Sequence, residues 1–375
     1  MKRTDLETDN FVDSGENDQR VPRTHGGNIY EAARRYGLDE KRIIDFSSNA
    51  NPLGPPSSAV RAARKALSLI GRYPDPETAE LRKAIARYFG IKSEHVVCGN
   101  GTNGLIHLIP RVFRPKKVLI PVPTFTEYAA AVRDAGGEAV LFPLKDHNGF
   151  RVDPLEMSFA LKGMDMAFLC NPNNPTGMLI PKAEMLEIGR YALEHGVRLV
   201  VDEAFMDYAE SESIVKEAVH SPHLICLRSF TAFFGLPGFR VGIAVANEAA
   251  AAVLREGQEP WTVNIPAERA AIAALNDWGH IKKTRRLIEK ERERLLSALR
   301  VLPGVETFPC SANFILMKLS SFDVFTLIQK LGERGMLVRE CSSIPGLDSR
   351  YIRIAVRTRW ENIRLIKALR ELLIP

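Results

Sequence analysis

The chain has 375 residues, of which 45% are hydrophobic and 26% charged, a composition typical of a globular protein large enough for two domains. Its net charge of +6 suits anionic small ligands, and because no basic run is interleaved with aromatic residues, no nucleic-acid partner is predicted. The five cysteines are scattered and no apolar run has membrane-spanning length, so we expect a cytoplasmic protein with reduced thiols and no membrane partner.

Residues 1–24 are polar and mixed in charge, and we expect them to form a mobile tail. Short apolar runs then alternate with amphipathic segments, which predicts an α/β protein with a mostly parallel sheet flanked by helices. Helices are predicted at 57–70 and 77–89. Buried strands, each followed by a polar or glycine-bearing loop, are predicted at 117–122, 166–170, 197–201 and 224–229.

The pattern changes after about residue 281. A long charged helix is predicted at 282–300, followed by short strands and helices at 313–319, 322–334, 351–356 and 360–373. This mixture is typical of a smaller α+β domain. We therefore divide the chain into the tail at 1–24, an N-terminal segment at 25–55 that packs with the small domain, a large domain at 56–281 and a small domain at 282–375.

The loops that follow the strands carry the candidate chemistry, because open parallel sheets bind ligands at the carboxyl ends of their strands. "NPNNPTG" at 171–177 is a tight turn that projects amides, and Asp202 in "VVDEAF" ends a strand. Its carboxylate would cap a helix, pair with a cation on the surface, or keep a heteroaromatic nitrogen protonated. The hydroxyls of "RSFTA", the guanidinium of Arg240 and the backbone amides of "CGNGTNG" suit a phosphate group, although glycines also make plain turns.

The complete set, in this order, resembles fold-type I enzymes that use pyridoxal phosphate (PLP), specifically the group of histidinol-phosphate aminotransferases and threonine-phosphate decarboxylases. The resemblance runs from about residue 25 to the C-terminus, and it implies PLP as the cofactor. It also implies that the cofactor phosphate meets Gly101, Thr102, Asn103, Ser229, Thr231 and Arg240. The pyridine ring would meet Phe125 by stacking, Asn174 at its hydroxyl and Asp202 at its nitrogen.

A partner subunit and a phosphorylated amino-acid substrate follow from the same resemblance. Tyr73 in "GRYPDP" matches the tyrosine that reaches the neighbouring subunit's cofactor phosphate, so we expect a homodimer. Arg353 in "YIRIAV" matches the arginine that grips the substrate carboxylate. The implied substrate-binding set is His25, Gly27, Asn49, Asn174, Arg339, Arg353 and Arg357. Surface ion pairs are the alternative interpretation of Arg339 and Arg357, and a turn position that of His25.

Within the group, "HGGN" ahead of "DFSSNANPLGPP" resembles the decarboxylases more than the aminotransferases. Phe205 stands where the aminotransferases usually have tyrosine, and "PGLDSRYIRIAVR" puts Arg357 where they tend to have glycine. The implied reaction is decarboxylation of L-threonine O-3-phosphate in cobalamin biosynthesis. L-Serine O-phosphate remains a variant substrate, because one methyl group is discriminated only modestly. Transamination of histidinol phosphate is the alternative reaction.

Two further features of the sequence concern what the site lacks. His220 and His223 have metal-like spacing without acidic or cysteine partners, so no metal site is predicted. Ala232 occupies the position of the lysine that bonds the cofactor in this group, so this chain is expected to be inactive or very slow. A deliberate Lys→Ala change is one explanation, which the intact remainder of the site favours. A natural PLP-binding homologue that lost catalysis is the other.

Overall fold

The structure is a computed structural model that describes residues 26–320 and 322–374. The predicted tail at 1–24 and the candidate His25 lie outside the described residues. The strands are β1 Ile44–Asp45, β2 Val96–Asn100, β3 Lys117–Val122, β4 Glu138–Pro143, β5 Met166–Cys170, β6 Arg198–Asp202, β7 Leu224–Ser229, β8 Val241–Ala246, β9 Val305–Thr307, β10 Phe314–Leu319, β11 Met336–Leu337, β12 Arg339–Glu340 and β13 Tyr351–Ala355. The helices are α1 Ile29–Tyr36, α2 Ser57–Ala66, α3 Ala79–Phe89, α4 Gly101–Phe113, α5 Glu127–Asp134, α6 Pro154–Ala160, α7 Lys182–Glu194, α8 Val215–Ala218, α9 Glu248–Glu256, α10 Ile265–Leu275, α11 Trp278–Arg300, α12 Val324–Glu333 and α13 Arg359–Leu373.

A seven-stranded sheet in the order β2-β8-β7-β6-β5-β3-β4 forms the centre of the larger unit. All neighbouring pairs are parallel except those of β8, which runs antiparallel to β2 and β7. Both faces are covered, because alternate residues of one strand join different cores: Leu199 packs with α3, α7 and α10, and Val200 packs with α4, α5 and α9. Burial on both faces explains why the strands read as continuous apolar runs.

A four-stranded antiparallel sheet in the order β12-β13-β10-β9 forms the smaller unit. Its core packs against α11, α12 and α13. The N-terminal segment reaches this unit, since β1 pairs in parallel with β11 and the Ala355 amide donates to the Phe46 carbonyl. The predicted fold class, α/β with a mostly parallel sheet and a smaller α+β part, is confirmed. The domain boundaries stay predictions.

The predicted strands at 117–122, 166–170 and 224–229 match the observed bounds, and the strand predicted at 197–201 begins and ends one residue later. The helix predicted at 57–70 is shorter, because α2 ends at Ala66 and a 3₁₀ turn follows it. No helix within 26–320 and 322–374 combines the length and the apolar character that crossing a bilayer requires.

Candidate active site

Three neighbouring strands bring the predicted polar loops to one edge of the sheet. Asp202 ends β6 and is in register with Cys170 of β5 and Leu227 of β7. Ser229 ends β7, and the 171–177 turn begins immediately after β5. Because these strands are parallel, their carboxyl ends open into the same space.

A cavity of about 420 Å³ lies at this edge, and many of the predicted site residues line it. Eight predicted residues line it: Asn49, Asn103, Phe125, Asn174, Thr231, Arg240, Arg339 and Arg353. Two further predicted residues contact residues that line the cavity. Ser229 shares a hydrogen bond with Thr231, and Gly101 contacts Arg240. The structure therefore assembles in one place residues as distant in the chain as Asn49 and Arg353.

The start of α4 forms an anion cradle with Arg240. The Gly101 amide donates to the Arg240 carbonyl at 2.9 Å. Gly101 has a φ of +70°, where other residues are strained, and a Cβ there would lie 2.6 Å from Nη2 of Arg240 and would displace the guanidinium. The hydroxyls of Ser229 and Thr231 are 2.7 Å apart, and Oδ1 of Asn103 is buried without a partner among the described residues. A helix start, an arginine and two hydroxyls fit the phosphate group of PLP.

Thr102 and Gly242 make the cradle compact. The Thr102 hydroxyl donates to the Arg228 carbonyl at 3.3 Å, so in this structure it is turned toward β7. A Cβ on Gly242 would lie 2.3 Å from the Thr102 amide nitrogen. Gly242 is a site residue that the sequence analysis missed, and its position at the start of β8 directly after the Arg240 loop was the available signal.

Asp202 is buried and accepts two hydrogen bonds. The Tyr128 hydroxyl donates to Oδ2 at 2.8 Å, and the Ala204 amide donates to Oδ1 at 3.0 Å. Burial raises the pKa of Asp202 from 3.8 to about 6, although both hydrogen bonds lower it. A buried carboxylate oriented in this way fits the protonated ring nitrogen of PLP, whose charge would offset the cost of burial.

Tyr128 is the second site residue that the sequence analysis missed. It is fully buried, its ring stacks on Phe168 at a centroid distance of 5.0 Å, and burial raises the pKa of its hydroxyl well above the usual value. The motif "PTFTEY" contains it, three residues after Phe125. Phe125 lies just before α5, and its ring meets that of Tyr128 edge to face at a centroid distance of 5.7 Å. The closeness of the two residues in the sequence would have been a usable signal.

Arg353 of β13 joins the small unit to the cavity. Its Nη1 donates to Oδ1 of Asn174 at 2.5 Å, and Nη2 donates to the Ser47 carbonyl at 2.7 Å. Burial lowers the pKa of Arg353 to about 10, and its Nε is buried without a partner among the described residues. A guanidinium held at two nitrogens, in a cavity that also includes Arg339, suits an anionic ligand.

Ala232 lies in an apolar corner of the site. It is 5% exposed and packs with Phe205, Ala312 and Phe314. The rings of Phe205 and Phe314 meet edge to face at 4.9 Å. No lysine is among the described residues that line the cavity.

Several predicted residues lie outside the cavity wall. Arg357 binds Glu361 through Nη2 at 2.7 Å and donates from Nη1 to the Asp45 carbonyl at 3.0 Å, an ion pair of the kind weighed as the alternative. The Gly27 amide donates to the Ser47 hydroxyl at 2.8 Å. Tyr73 is on the surface, 79% exposed. The functional roles of these residues stay predictions.

No group of three or more histidine, cysteine, aspartate or glutamate side chains arranged to hold a metal occurs in the part of the chain that the structure describes.

The sequence was compared with known families and proteins. The family described as aminotransferase class I and II matches residues 41–369. The chain belongs to this family. Family membership confirms the resemblance, and PLP is the cofactor that this family uses. The Salmonella typhimurium protein named threonine-phosphate decarboxylase is 36% identical over 93% of this chain and 96% of its own length.

Relatives with another name are equally similar. A protein named histidinol-phosphate aminotransferase 2 from Archaeoglobus fulgidus is 38% identical over 89% of this chain and 94% of its own length. Among solved structures, L-threonine-O-3-phosphate decarboxylase from Porphyromonas gingivalis is 28% identical with a TM-score of 0.79, covering 89% of this chain and 100% of that chain. Identity alone therefore does not separate the two activities.

Proposed function

We propose that this chain has the site of a PLP-dependent decarboxylase that converts L-threonine O-3-phosphate to (R)-1-aminopropan-2-yl phosphate in cobalamin biosynthesis, with the covalent anchor replaced by Ala232. The names of relatives that match over most of this chain support the substrate class. The observation that carries the proposal is the cavity wall, to which Arg353, Arg339 and Arg240 of the anion cradle all contribute. That arrangement offers one cation set to a cofactor phosphate and a second to a doubly anionic substrate.

The site residues have separate tasks in this proposal. The α4 start, Ser229, Thr231 and Arg240 bind the cofactor phosphate. Asp202, oriented by Tyr128, binds the ring nitrogen and keeps it protonated. When bound, PLP supplies an electron sink for the electron pair that the departing CO2 leaves on the substrate α-carbon.

Substrate orientation decides which bond breaks. Arg353 holds the substrate carboxylate, and its own position is fixed by Asn174 and the Ser47 carbonyl. A decarboxylase must hold the carboxylate perpendicular to the cofactor ring, whereas an aminotransferase must hold the α-hydrogen there. The proposed roles of Arg339 and Arg357 toward the substrate phosphate belong to the same argument.

The absence of the lysine leaves binding intact and removes two chemical tasks. Ala232 can neither bond the cofactor nor carry a proton to the substrate α-carbon. We therefore expect this chain to bind PLP through its phosphate and ring contacts, and to turn over substrate very slowly or not at all.

The proposed active unit is a homodimer in which Tyr73 reaches the partner's cofactor phosphate. Support comes from the surface around Tyr73, where Leu67, Ile70 and Trp261 are also exposed. Contiguous exposed apolar side chains of this kind mark interaction surfaces.

The test restores the missing amine. Ala232→Lys, supplied with PLP and L-threonine O-3-phosphate, is expected to release CO2 and aminopropanol phosphate in equal amounts, while the unchanged chain releases neither. Ala232→Arg is the matched control, because it adds a cation of similar length that cannot bond the cofactor aldehyde. It should stay inactive.

Other outcomes would identify the rival functions. Faster conversion of histidinol phosphate to its keto product by Ala232→Lys would make the chain an aminotransferase. Tight PLP binding by Ala232→Lys without chemistry on either substrate would favour a non-catalytic binding protein. Parallel assays with L-serine O-phosphate measure how strongly the substrate methyl group affects the reaction rate.

A further inference from the structure

Trp261 lies in the loop between α9 and α10, in a backbone conformation that large side chains rarely adopt. Its φ is +59°, in the left-handed region where a bulky aromatic residue is an outlier. The residue is 46% exposed, so this strain is not compensated by full burial of the indole. The indole instead contacts Tyr73, at a ring-centroid distance of 4.6 Å and an interplanar angle of 31°.

The loop that carries Trp261 is anchored on both sides. Before it, Nε2 of Gln258 donates to the Cys98 carbonyl at 2.7 Å. After it, Val263 is buried in the core and the Asn264 side chain caps the start of α10. The strained residue is thus presented by a fixed loop, and its ring has a defined place on the surface.

Tyr73 depends on this ring for its orientation. It lies in the loop between α2 and α3, and α10 packs against both of these helices, which brings the two loops together. At 79% exposure, a tyrosine without a stacking partner would sample several rotamers. Contact with Trp261 restricts the directions in which the phenol hydroxyl points.

The same loop borders the anion cradle. A second cavity, of about 550 Å³, is lined by Gln258, Glu259 and Thr262 of the loop that carries Trp261, together with Asn103 and Arg240. The surface next to the cradle therefore carries the aromatic pair. In a two-fold dimer each such surface faces its own copy, so the pair of one subunit is placed to approach the cradle of the other.

We propose that Trp261 is a positioning residue, which holds the Tyr73 ring in the orientation from which its hydroxyl reaches the PLP phosphate bound by the partner subunit. This inference rests on the proposed homodimer and its cross-subunit contact, and it adds the residue on which that contact depends. Trp261 itself does not touch the cofactor.

The test measures PLP binding to the chain as it stands, by absorbance titration or calorimetry, so catalysis is not required. Trp261→Gly removes the ring and relieves the backbone strain. We expect PLP to bind roughly threefold to tenfold more weakly, the worth of one aromatic contact. The melting temperature of the cofactor-free protein should be unchanged or higher, whereas a merely structural tryptophan would lower it. Trp261→Phe keeps a ring and should restore most of the affinity.

A double-mutant cycle with Tyr73→Phe separates the possible failures. If Trp261 acts through Tyr73, the double variant binds PLP no more weakly than Tyr73→Phe alone. If the two losses add, Trp261 acts on PLP independently and the inference is overturned. If Trp261→Gly binds PLP as the unchanged chain does while Tyr73→Phe is weakened, the inference fails and the proposed contact survives. If Tyr73→Phe has no effect on a dimer verified by sedimentation, the cross-subunit contact itself fails.

Discussion

Burial controls the charge of Asp202. Its pKa in the folded protein, about 6, lies above the ordinary 3.8, so ionising this carboxyl opposes folding. The favourable contribution of its neutral form is complete below about pH 3.8 and is lost as the pH rises through about 6. At neutral pH the cost is at most about 3 kcal/mol.

Asp202→Asn should remove that cost, because Oδ1 can still accept from the Ala204 amide while Nδ2 donates to the Tyr128 hydroxyl oxygen, which then acts as the acceptor. We expect the cofactor-free variant to melt at a higher temperature than the unchanged chain at pH 8, with a gain that shrinks toward pH 5. Thermal unfolding at several pH values measures this. Glu289→Gln, an exposed carboxyl on α11, is the control and should show no such trend. An equal gain in melting temperature at every pH would contradict the raised pKa of Asp202.

A substitution at Gly101 tests the anion cradle. Gly101→Ala places a methyl group 2.6 Å from the Arg240 guanidinium in a left-handed backbone. We expect PLP to bind at least about tenfold more weakly, since displacing one charged donor costs roughly 1.5–3 kcal/mol. Gly104→Ala is the matched control on the same helix, because the nearest atom to its Cβ is 3.9 Å away. It should be neutral or stabilising, and a similar loss of PLP affinity in both variants would argue against the cradle.

At the scale of elements, the 171–177 turn is fixed by one side chain. Asn171 is fully buried, donates from Nδ2 to the Ile180 carbonyl at 2.9 Å and accepts from the Ile180 amide at 2.8 Å. These bonds tie both ends of the loop that presents Asn174. The conformation of the loop after β5 therefore depends on Asn171, a residue that does not line the cavity.

Asn171→Ala should destabilise the protein by about 2–3 kcal/mol, because two buried backbone groups of Ile180 lose their partner. Denaturant unfolding measures the loss. Asn276→Ala is the control, since the hydrogen bond from its Nδ2 to the Ile272 carbonyl is exposed, and it should change stability by less than about 0.5 kcal/mol. Comparable effects of the two substitutions would show that the turn is held by other contacts.

At the scale of the whole molecule, we expect a dimer built on the surface around Tyr73. Ile70 is 67% exposed there. Ile70→Glu should raise the dimer dissociation constant at least about tenfold, because a charge would be buried in an apolar contact. Sedimentation velocity measures it. Ile363→Glu, on an exposed face of α13, should leave the assembly unchanged, and a monomeric unchanged chain would refute the expectation.

Much of the architecture was predictable because local patterns determine it. Strands buried on both faces, such as β3, β5 and β7, are continuous apolar runs with polar loops after them. The edge strand β4 was not predicted, since its burial is partial throughout and its sequence "EAVLFP" carries a weaker signal.

The sequence by itself determined the family, the order of the site motifs and the position that lacks a lysine, because each of these is a matter of residue type and spacing along the chain. The tertiary structure decided which side chains meet. Tyr128 reaches Asp202, Arg357 pairs with Glu361, and the indole of Trp261 contacts the Tyr73 ring. Trp261 and Tyr73 are almost 190 positions apart in the chain, and their loops meet because α10 packs on α2 and α3. Such contacts depend on how helices pack against a sheet, which no local spacing specifies.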